Sequence, residues 1–462
     1  MYKKNKQKKK IRKPKISFTS KLMTAYGGTY LLSNFFEKFK IKEFIEENWI
    51  FKETSGNSLG IFPKVLTYWL SIIAGGKRFS HIMFLTHSME VLAKTFAVEK
   101  LSKAPSTLTR FIAKFKRRVY VEAFKKNLWS YMASWIPWDK IKEDWLDGDS
   151  TVITRYGNQD GSEVGYNPTK RGRASHHPLL LFLGDSDYSI NLWNRSGNTH
   201  TANNIIGFLK ESLEMIGEKI KITGLRLDSG FYEEKILKFI EDRELKFIVS
   251  VRLYRPLQKL IYSISEWTKV EQGIEVATLM YKPSPWSKEY LHIIIRQNIG
   301  VRKKASGKQL KLFSTDDESC RYRYSTMVTN FDEDAKTIWD YYKPRANCEN
   351  RIGESKEDFG LCGFCLKSFW ATELAMLLRM LLFNLFVYFR SEILNTQRAQ
   401  LKTIRPKYFI LPGILGGDDK RPTLRLGVKS KKLREKLNYV NRLILKLKLP
   451  IKTNCNAVGV ET

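Results

Sequence analysis

Residues 144–252 decide the fold, because they alternate short apolar runs with turns and two amphipathic segments. Five of the runs have the composition of strands: DWLDGDSTVITRY (144–156), PLLLFLGD (178–185), YSINLWN (188–194), KITGLRLD (221–228) and KFIVSVR (246–252). Helices are predicted over 200–217 and 232–243, where the spacing of apolar residues is helical. The element order is therefore β-β-β-α-β-α-β.

This order places two aspartates side by side. Three strands joined by hairpins, followed by strands joined by helical crossovers, are typical of the RNase H fold. Its first strand lies beside its fourth, so Asp149 and Asp228 are expected to be neighbours across the sheet. Asp147 competes with Asp149, since residues two apart share a strand face. We favour Asp149, which precedes Ser150-Thr151 and lies nearer the strand centre.

A third acidic residue lies in the run YYKPRANCENRIGESK (341–356). On one continuous helix, Tyr342, Arg345, Glu349 and Lys356 would fall within about 60° of one another. If Pro344 marks the first turn, Tyr342 lies just before the helix. A face with an aromatic ring, two cations and a carboxylate suits a metal ion beside a phosphate better than it suits packing.

These three carboxylates fit the chemistry of phosphodiester cleavage. The reaction needs an activated water and a stabilised leaving oxygen, and two divalent metals roughly 4 Å apart provide both. Such metals prefer carboxylate oxygens held by rigid elements. Asp149, Asp228 and Glu349 are therefore the candidate catalytic and metal-binding residues.

The charge of the chain indicates a polyanionic partner. The 462 residues carry a formal net charge of +33, and the nine Lys and Arg of residues 1–15 leave +24 for the rest. Nucleic acid is the first candidate, with counterion release contributing to affinity. A membrane surface is disfavoured because no basic amphipathic helix dominates the chain. The 43% hydrophobic content indicates a folded protein.

Cysteine usage and hydropathy indicate a reducing cytoplasm. Five cysteines are too few for a disulfide framework, and we expect Cys362 and Cys365 to be ordinary buried thiols because no further zinc ligands lie nearby. No signal peptide is predicted. The apolar run at 375–389 is interrupted by Arg379 and Asn384, which favours a buried helix over a membrane span.

The predicted organisation is an α/β protein with an RNase H-like mixed-sheet core, a β-rich insertion and helical terminal regions. The boundaries are a basic arm (1–19), a helical N-terminal DNA-binding region (20–140), the first part of the core (141–252), the insertion (253–330), the second part of the core (331–390) and a basic C-terminal region (391–462).

Two further helices are basic. The segment APSTLTRFIAKFKRR (104–118) predicts a helix with Ser106 as N-cap and with Arg110 and Lys114 on its basic face. A DNA recognition helix and a solvated basic face explain it equally well. At the C-terminus, the helical apolar spacing from Leu433 to Leu447 favours packing or partner binding over DNA reading.

Tyr342, Arg345, Glu349 and Lys356 form the pattern Y-(2)-R-(3)-E-(6)-K. It resembles the signature of the DDE transposases of bacterial insertion sequences, in the group with a β-rich insertion before the catalytic glutamate. Three runs resemble the branch named after insertion sequence 1380: LDGDST (146–151), GYNPTKRGRASHHPLL (165–180) and LRLDSGFY (225–232).

The resemblance implies metal-dependent cut-and-paste transposition. Asp149, Asp228 and Glu349 would bind two Mg²⁺ ions, with Mn²⁺ able to substitute. The partners would be the terminal inverted repeats, target DNA and a second copy of the chain, with no membrane and no small-molecule cofactor. Tyr342 would grip phosphates beside the cut, together with Arg345 and Lys356.

Other residues are weaker candidates for DNA contact. Hairpin-forming relatives stack a flipped base on a tryptophan of the insertion, although ordinary packing is the commoner role of such residues. The glycine-punctuated loop could contact the DNA backbone or be a solvated hairpin tip. His176 and His177 are expected to be structural. The candidates are Trp267 and Trp286 for stacking, and Lys170, Arg171 and Arg173 for the backbone.

Two other function classes fit parts of the sequence. A transposase-derived DNA-binding protein that no longer cuts would keep the charge, but the complete acidic triad argues against it. A basic RNA-binding protein would also be cationic, but it gives no account of three carboxylates in an RNase H element order.

Overall fold

The computed structural model describes residues 13–168, 170–310, 321–418 and 421–453. Residues 1–12 of the predicted basic arm and 311–320 of the predicted insertion lie outside the described residues. The N-terminal region contains a short strand β1 (Met23–Thr24) and seven labelled helices: α1 (Tyr30–Lys38), α2 (Ile41–Asn48), α3 (Ile61–Ile73), α4 (Met89–Thr95), α5 (Pro105–Ile112), α6 (Arg118–Trp135) and α7 (Trp138–Ile141).

The core and the insertion follow. Their strands are β2 (Glu143–Ser150), β3 (Ile153–Thr154), β4 (Glu163–Val164), β5 (Ala174–His176), β6 (Leu179–Leu183), β7 (Ser189–Trp193), β8 (Lys221–Leu227), β9 (Phe247–Val251), β10 (Thr268–Glu271), β11 (Ile274–Tyr281), β12 (Tyr290–Asn298) and β13 (Tyr322–Thr329). Their helices are α8 (Ile205–Ile216), α9 (Glu234–Glu241), α10 (Arg255–Tyr262), α11 (Ala335–Tyr342), α12 (Ala346–Glu357) and α13 (Phe369–Tyr388). The C-terminal region contains α14 (Leu401–Ile404), β14 (Gly413–Gly416), β15 (Thr423–Leu426) and α15 (Lys431–Leu445).

A nine-stranded mixed sheet organises the molecule in the order β10-β11-β12-β13-β9-β8-β2-β6-β7. Strands β2 and β8 are parallel, as are β8 and β9, whereas β6 and β7 are antiparallel additions on the other side of β2. The first strand of the core therefore lies beside the fourth. This arrangement confirms the predicted fold class.

The insertion extends the core sheet. Strand β13 pairs antiparallel with β9, and β12, β11 and β10 follow outward. The insertion begins with helix α10 rather than with a strand. A smaller apolar cluster, which includes Ile293, Ile295 and Met327, packs beneath α11. The insertion is thus continuous with the surface that carries the candidate site.

Helix α13 lies in the main core. Within the described residues, Phe369–Ile393 is the one segment long and apolar enough to cross a membrane, and its most apolar window is 100% buried inside the protein. Asn384 exchanges hydrogen bonds of 2.8 Å with the backbone of Ser189 on β7. Arg379 donates to the carbonyl of Ala375 at 2.9 Å. Asn384 and the Nε of Arg379 are therefore hydrogen-bonded inside the core, whereas Arg379 Nη2 has no partner among the described residues.

Two local predictions were wrong. The basic helix predicted over 104–118 ends at Ile112, and a new helix begins at Arg118, so Lys114 lies in the connection. Pro105 occupies the first turn with Ala104 as the cap, which excludes Ser106 from the capping position.

The first core strand is also shorter than predicted. It ends at Ser150, and β3 leaves the main sheet to pair with β5, which also pairs with β4. This small three-stranded sheet carries the basic loop of residues 170–173.

The C-terminal region combines a hairpin with a packing helix. Strands β14 and β15 form a sheet with β1, so a segment of the N-terminal region pairs with the C-terminal region. Helix α15 packs against α1 and buries Leu437, Val440 and Ile444. The packing interpretation of this helix agrees with its observed contacts.

Candidate active site

The ends of β2 and β8 bring two aspartates together. Gly148 and Leu227 form the last pair in the parallel register, and Asp149 and Asp228 follow them directly. Adjacent strands lie about 4.8 Å apart, so these carboxylates leave the sheet as neighbours. Asp228 then caps the 3₁₀ turn that begins at Ser229 by accepting from its backbone N–H.

Glu349 faces the same region from α12. Its side chain is 71% exposed. Arg345 connects it to the strand, because Arg345 Nη2 lies 3.0 Å from Asp149 Oδ2 and Nη1 lies 3.6 Å from Glu349 Oε1. The structure therefore gathers all three predicted acidic residues, with a guanidinium between two of them.

The electrostatics of Asp149 indicate a crowded acidic site. Burial raises the pKa of this carboxyl to about 6, although the Arg345 cation opposes the shift. The negative charges of Asp228 and Glu349 raise it further. Carboxylates that disfavour one another's ionisation attract a compensating cation.

The donor set suits a hard divalent ion, but the side chains do not form a closed cage. Across the described parts of the chain, no three His, Cys, Asp or Glu side chains stand in a metal-holding arrangement. Glu349 points toward solvent, and Arg345 engages an oxygen of Asp149. Three carboxylates of suitable chemistry are therefore adjacent, with a cation already paired to one of them.

The Y-R-E-K residues do not lie on a single helix. Tyr342 ends α11, the 3₁₀ turn Lys343–Arg345 follows, and Glu349 and Lys356 belong to α12. Pro344 lies in this turn and explains the interruption. The continuous-helix interpretation was therefore wrong for Tyr342, as the position of Pro344 had indicated.

Tyr342 and Arg345 are nevertheless held at the site. The Tyr342 hydroxyl donates to the carbonyl of Leu227 at 3.1 Å, one residue before Asp228. Arg345 is 6% exposed, and its Nε has no hydrogen-bond acceptor among the described residues. A buried donor without a partner at a carboxylate cluster is a candidate contact for an anionic ligand.

Lys356 lies in the last turn of α12. The imidazole of His177 lies 3.0 Å from Ser150 Oγ, beside Asp149. Burial lowers the pKa of His177, and positive charges including that of Lys356 lower it further. Lys356 is therefore one of several positive charges that act on this histidine.

Asp147, the rival of Asp149, and two other acidic residues of the same elements have partners elsewhere. Asp147 is fully buried and pairs with Arg226 and Arg351. Asp144 accepts hydrogen bonds from the turn at Asp185, and Glu354 pairs with Arg390. Sequence reasoning did not identify Arg226 or Arg351, although a cation inside the apolar run LRL signals a buried partner of opposite charge.

The chain also has a recognisable family. The sequence matches the family model described as transposase DDE domain group 1 over residues 5–445. The chain belongs to this family of DDE transposases. The branch named after insertion sequence 1380 stays a prediction.

Comparisons with individual proteins add little detail. No curated protein matches the chain. Among solved structures, it is similar to a piggyBac transposase synaptic complex with hairpin DNA, at 13% identity and a TM-score of 0.46. That similarity covers 94% of this chain and 89% of the other.

The predicted DNA-contact cations of this transposase lie at its surface. Lys170, Arg171 and Arg173 are exposed in the loop before β5. Arg110 is exposed on α5, and Lys114 is exposed in the connection that follows. Their side chains are accessible to a phosphate backbone.

The two tryptophans of the insertion differ in their surroundings. Trp267 lies beneath the Arg296 guanidinium at 4.1 Å, a packing role. Trp286 packs against Tyr232 with ring centroids 4.6 Å apart. Tyr232 follows Asp228 by four residues in the sequence, so Trp286 packs against the segment that continues from the end of β8.

The histidines and cysteines have structural surroundings. His176 lies 3.1 Å from Arg155 Nε and 3.0 Å from the carbonyl of Asp160. Cys362 and Cys365 are free thiols. The contacts of His176 agree with the structural role expected from the sequence. The expectation that both thiols are buried was wrong, because Cys362 is exposed and Cys365 is half-buried.

Proposed function

We propose that this DDE transposase excises and inserts a bacterial insertion sequence by cutting and joining DNA at terminal inverted repeats. The observation that carries the proposal is the juxtaposition of Asp149 and Asp228 on parallel strands, with Glu349 reached through Arg345. This arrangement supports phosphoryl transfer, which needs several carboxylates converging beside positive donors.

Asp149, Asp228 and Glu349 would hold two Mg²⁺ ions, which Mn²⁺ could replace. Bound there, the ions supply activation of the attacking water or 3′-hydroxyl and neutralisation of the leaving oxygen. The raised pKa of Asp149 and the exposure of Glu349 support a site that gains from added positive charge.

Arg345, Tyr342 and Lys356 would orient the phosphates on either side of the cut. Arg345 offers a buried Nε donor without a partner among the described residues, and a guanidinium can donate two parallel hydrogen bonds to a phosphate. Tyr342, anchored to the end of β8, keeps the start of this segment against the strand. Lys356 adds a point charge at the far end of α12.

The DNA partner would run beyond the acidic cluster. The exposed cations of the loop before β5 and of α5 would contact the backbone of the repeats and of target DNA. Pairing two element ends requires two active sites, so we propose a homodimer acting on DNA in the bacterial cytoplasm. Trp286 is the favoured candidate for stacking a base if a hairpin forms at the element end.

Strand cleavage on DNA that carries the flanking repeats of the gene tests the proposal. The purified full-length chain is incubated with labelled ends in Mg²⁺ or in EDTA. Asp228→Asn keeps the shape of the side chain but removes its charge. Asp332→Asn is the matched control, because that side chain is 99% exposed on the turn before α11.

We expect cuts at the repeat ends. These cuts should disappear with EDTA and with Asp228→Asn, but persist with Asp332→Asn. DNA binding should survive the substitution at Asp228. Tight binding without any cleavage would instead identify a DNA-binding descendant of a transposase. If Asp149→Asn cuts normally while Asp147→Asn does not, the assignment of Asp149 as a metal ligand is wrong.

A further inference from the structure

Three buried charged residues each lie two positions from a candidate metal ligand. Asp147 precedes Asp149 on β2, Arg226 precedes Asp228 at the end of β8, and Arg351 follows Glu349 on α12. Both arginines pair directly with Asp147. The same three elements therefore carry an ionic cluster within the protein and an acidic cluster at its surface.

Asp147 is the centre of the inner cluster. Arg226 approaches it with a fork, with Nε 2.6 Å from Oδ1 and Nη2 3.1 Å from Oδ2. Arg351 Nη1 lies 3.1 Å from Oδ2 of the same carboxylate. Asp147, Arg226 and Arg351 are only 0%, 1% and 3% exposed. One carboxylate thus connects both catalytic strands to the helix that carries Glu349.

The outer contacts of the cluster fix its orientation. Arg226 Nη1 donates to the carbonyl of Tyr341 at 3.0 Å, next to Tyr342. Arg351 also donates to Asp187 and to the carbonyl of Gly184, in the turn between β6 and β7. Each guanidinium therefore joins Asp147 to a second element of the core.

Such a cluster is costly to bury. Desolvating three charges offsets much of their attraction, and well-packed apolar side chains often stabilise a core as well as a buried ion pair does. Forked hydrogen bonds are directional, however, and apolar contacts are not. The cluster is thus suited to fixing the relative positions of the three elements.

We propose that Asp147, Arg226 and Arg351 are positioning residues that set the spacing of Asp149, Asp228 and Glu349 for divalent metal binding. This inference rests on the proposed function. Asp147 itself has no role as a metal ligand, because both its oxygens are engaged by guanidinium groups.

Two substitutions test the cluster. Arg226→Lys keeps a positive charge beside Asp147 but removes the fork, which a point charge cannot reproduce. Asp147→Asn removes the central charge. Lys125→Met is the control for stability alone, since Lys125 is 5% exposed and pairs with Glu211 at 2.9 Å away from the strand ends.

The primary measurement is Mn²⁺ binding to the DNA-free, full-length protein, followed by electron paramagnetic resonance. Each variant is measured well below its own melting temperature. We expect at least tenfold weaker binding for Arg226→Lys and Asp147→Asn, and wild-type affinity for Lys125→Met. In cleavage assays the first two should need at least tenfold more Mg²⁺ for half-maximal cutting, with part of the rate recovered at saturation.

The outcomes separate the two proposals. If the wild-type protein binds Mn²⁺ and folded Arg226→Lys binds it equally well, the positioning role is refuted and the proposed function stands. If Lys125→Met weakens binding as much as Arg226→Lys does, the effect is one of general stability and the positioning role is refuted. If the wild-type protein binds no Mn²⁺ and cuts no DNA, both proposals fail. Should Asp147→Asn not fold, Arg226→Lys alone decides.

Discussion

Glu373 provides a quantitative test of the core electrostatics. It lies in the first turns of α13, is 6% exposed, and accepts a hydrogen bond from the backbone N–H of Asn194 at 3.3 Å. Burial raises its pKa to about 7, Lys125 opposes the shift, and the charges of Glu211 and Glu122 add to it. The perturbation is Glu373→Gln, which keeps the hydrogen-bonding shape and removes the titration.

The magnitude follows from proton linkage. The folded pKa of about 7, against an ordinary value of 4.5, corresponds to about 3 kcal/mol at roughly 1.4 kcal/mol per pH unit. The folded state binds the proton more tightly than the unfolded state does. Its contribution to stability is therefore complete below pH 4.5 and is lost as the pH rises through about 7.

The assay is urea unfolding of the wild type and of Glu373→Gln at pH 5 and at pH 8. Relative to the wild type, the variant should gain about 2.5 kcal/mol in free energy of unfolding between the two pH values, because part of the stabilisation is already lost at pH 5. Glu357→Gln is the control, because that side chain is 72% exposed and should show no such gain. A difference between variant and wild type that is the same at both pH values would refute the reasoning.

Three further predictions concern other parts of the transposase. Replacing Lys170 and Arg171 with Gln should weaken DNA binding for every sequence. It should also lower the slope of log affinity against log salt by about 2, since each lost phosphate contact removes about 0.9. An unchanged slope in a salt titration would show that this loop is not part of the DNA interface. Trp286→Ala should leave the first nicking step unchanged and reduce the fraction of hairpin ends seen on denaturing gels, because it removes the ring packed on Tyr232. Unchanged product ends would exclude a stacking role. Gly197→Ala should lower the free energy of unfolding by about 3 kcal/mol, because a Cβ there would lie 2.1 Å from the carbonyl oxygen of Ser175. A variant with the same urea midpoint as the wild type would contradict this close approach.

Local pattern determined much of the architecture. The apolar runs that predicted strands became β2, β6, β7, β8 and β9, and both predicted crossover helices are present as α8 and α9. These features follow from periodicity and turn residues within a few positions of one another, so the sequence alone contains them. Pro344 likewise signalled the break between Tyr342 and Glu349, because a proline interrupts helical hydrogen bonding wherever it stands.

Tertiary structure decided what depends on partners distant in sequence. Nothing local to 144–156 shows that the first strand ends at Ser150, since β3 leaves the sheet to pair with β5, some twenty residues further along. The basic helix likewise ends at Ile112, although Phe115 beyond it is still buried in the core. The extension of the core sheet by β13 depends on β9, more than 70 residues earlier.

The choice between Asp147 and Asp149 depends most on the tertiary structure. Both lie on one face of one strand, two residues apart. The difference arises because Arg226 and Arg351 reach Asp147 from other elements and bury it, whereas Asp149, two residues further on, meets Arg345 at the strand end. A side-chain pattern specifies which residues share a face, but only the packed fold brings the charges that give two like residues different roles.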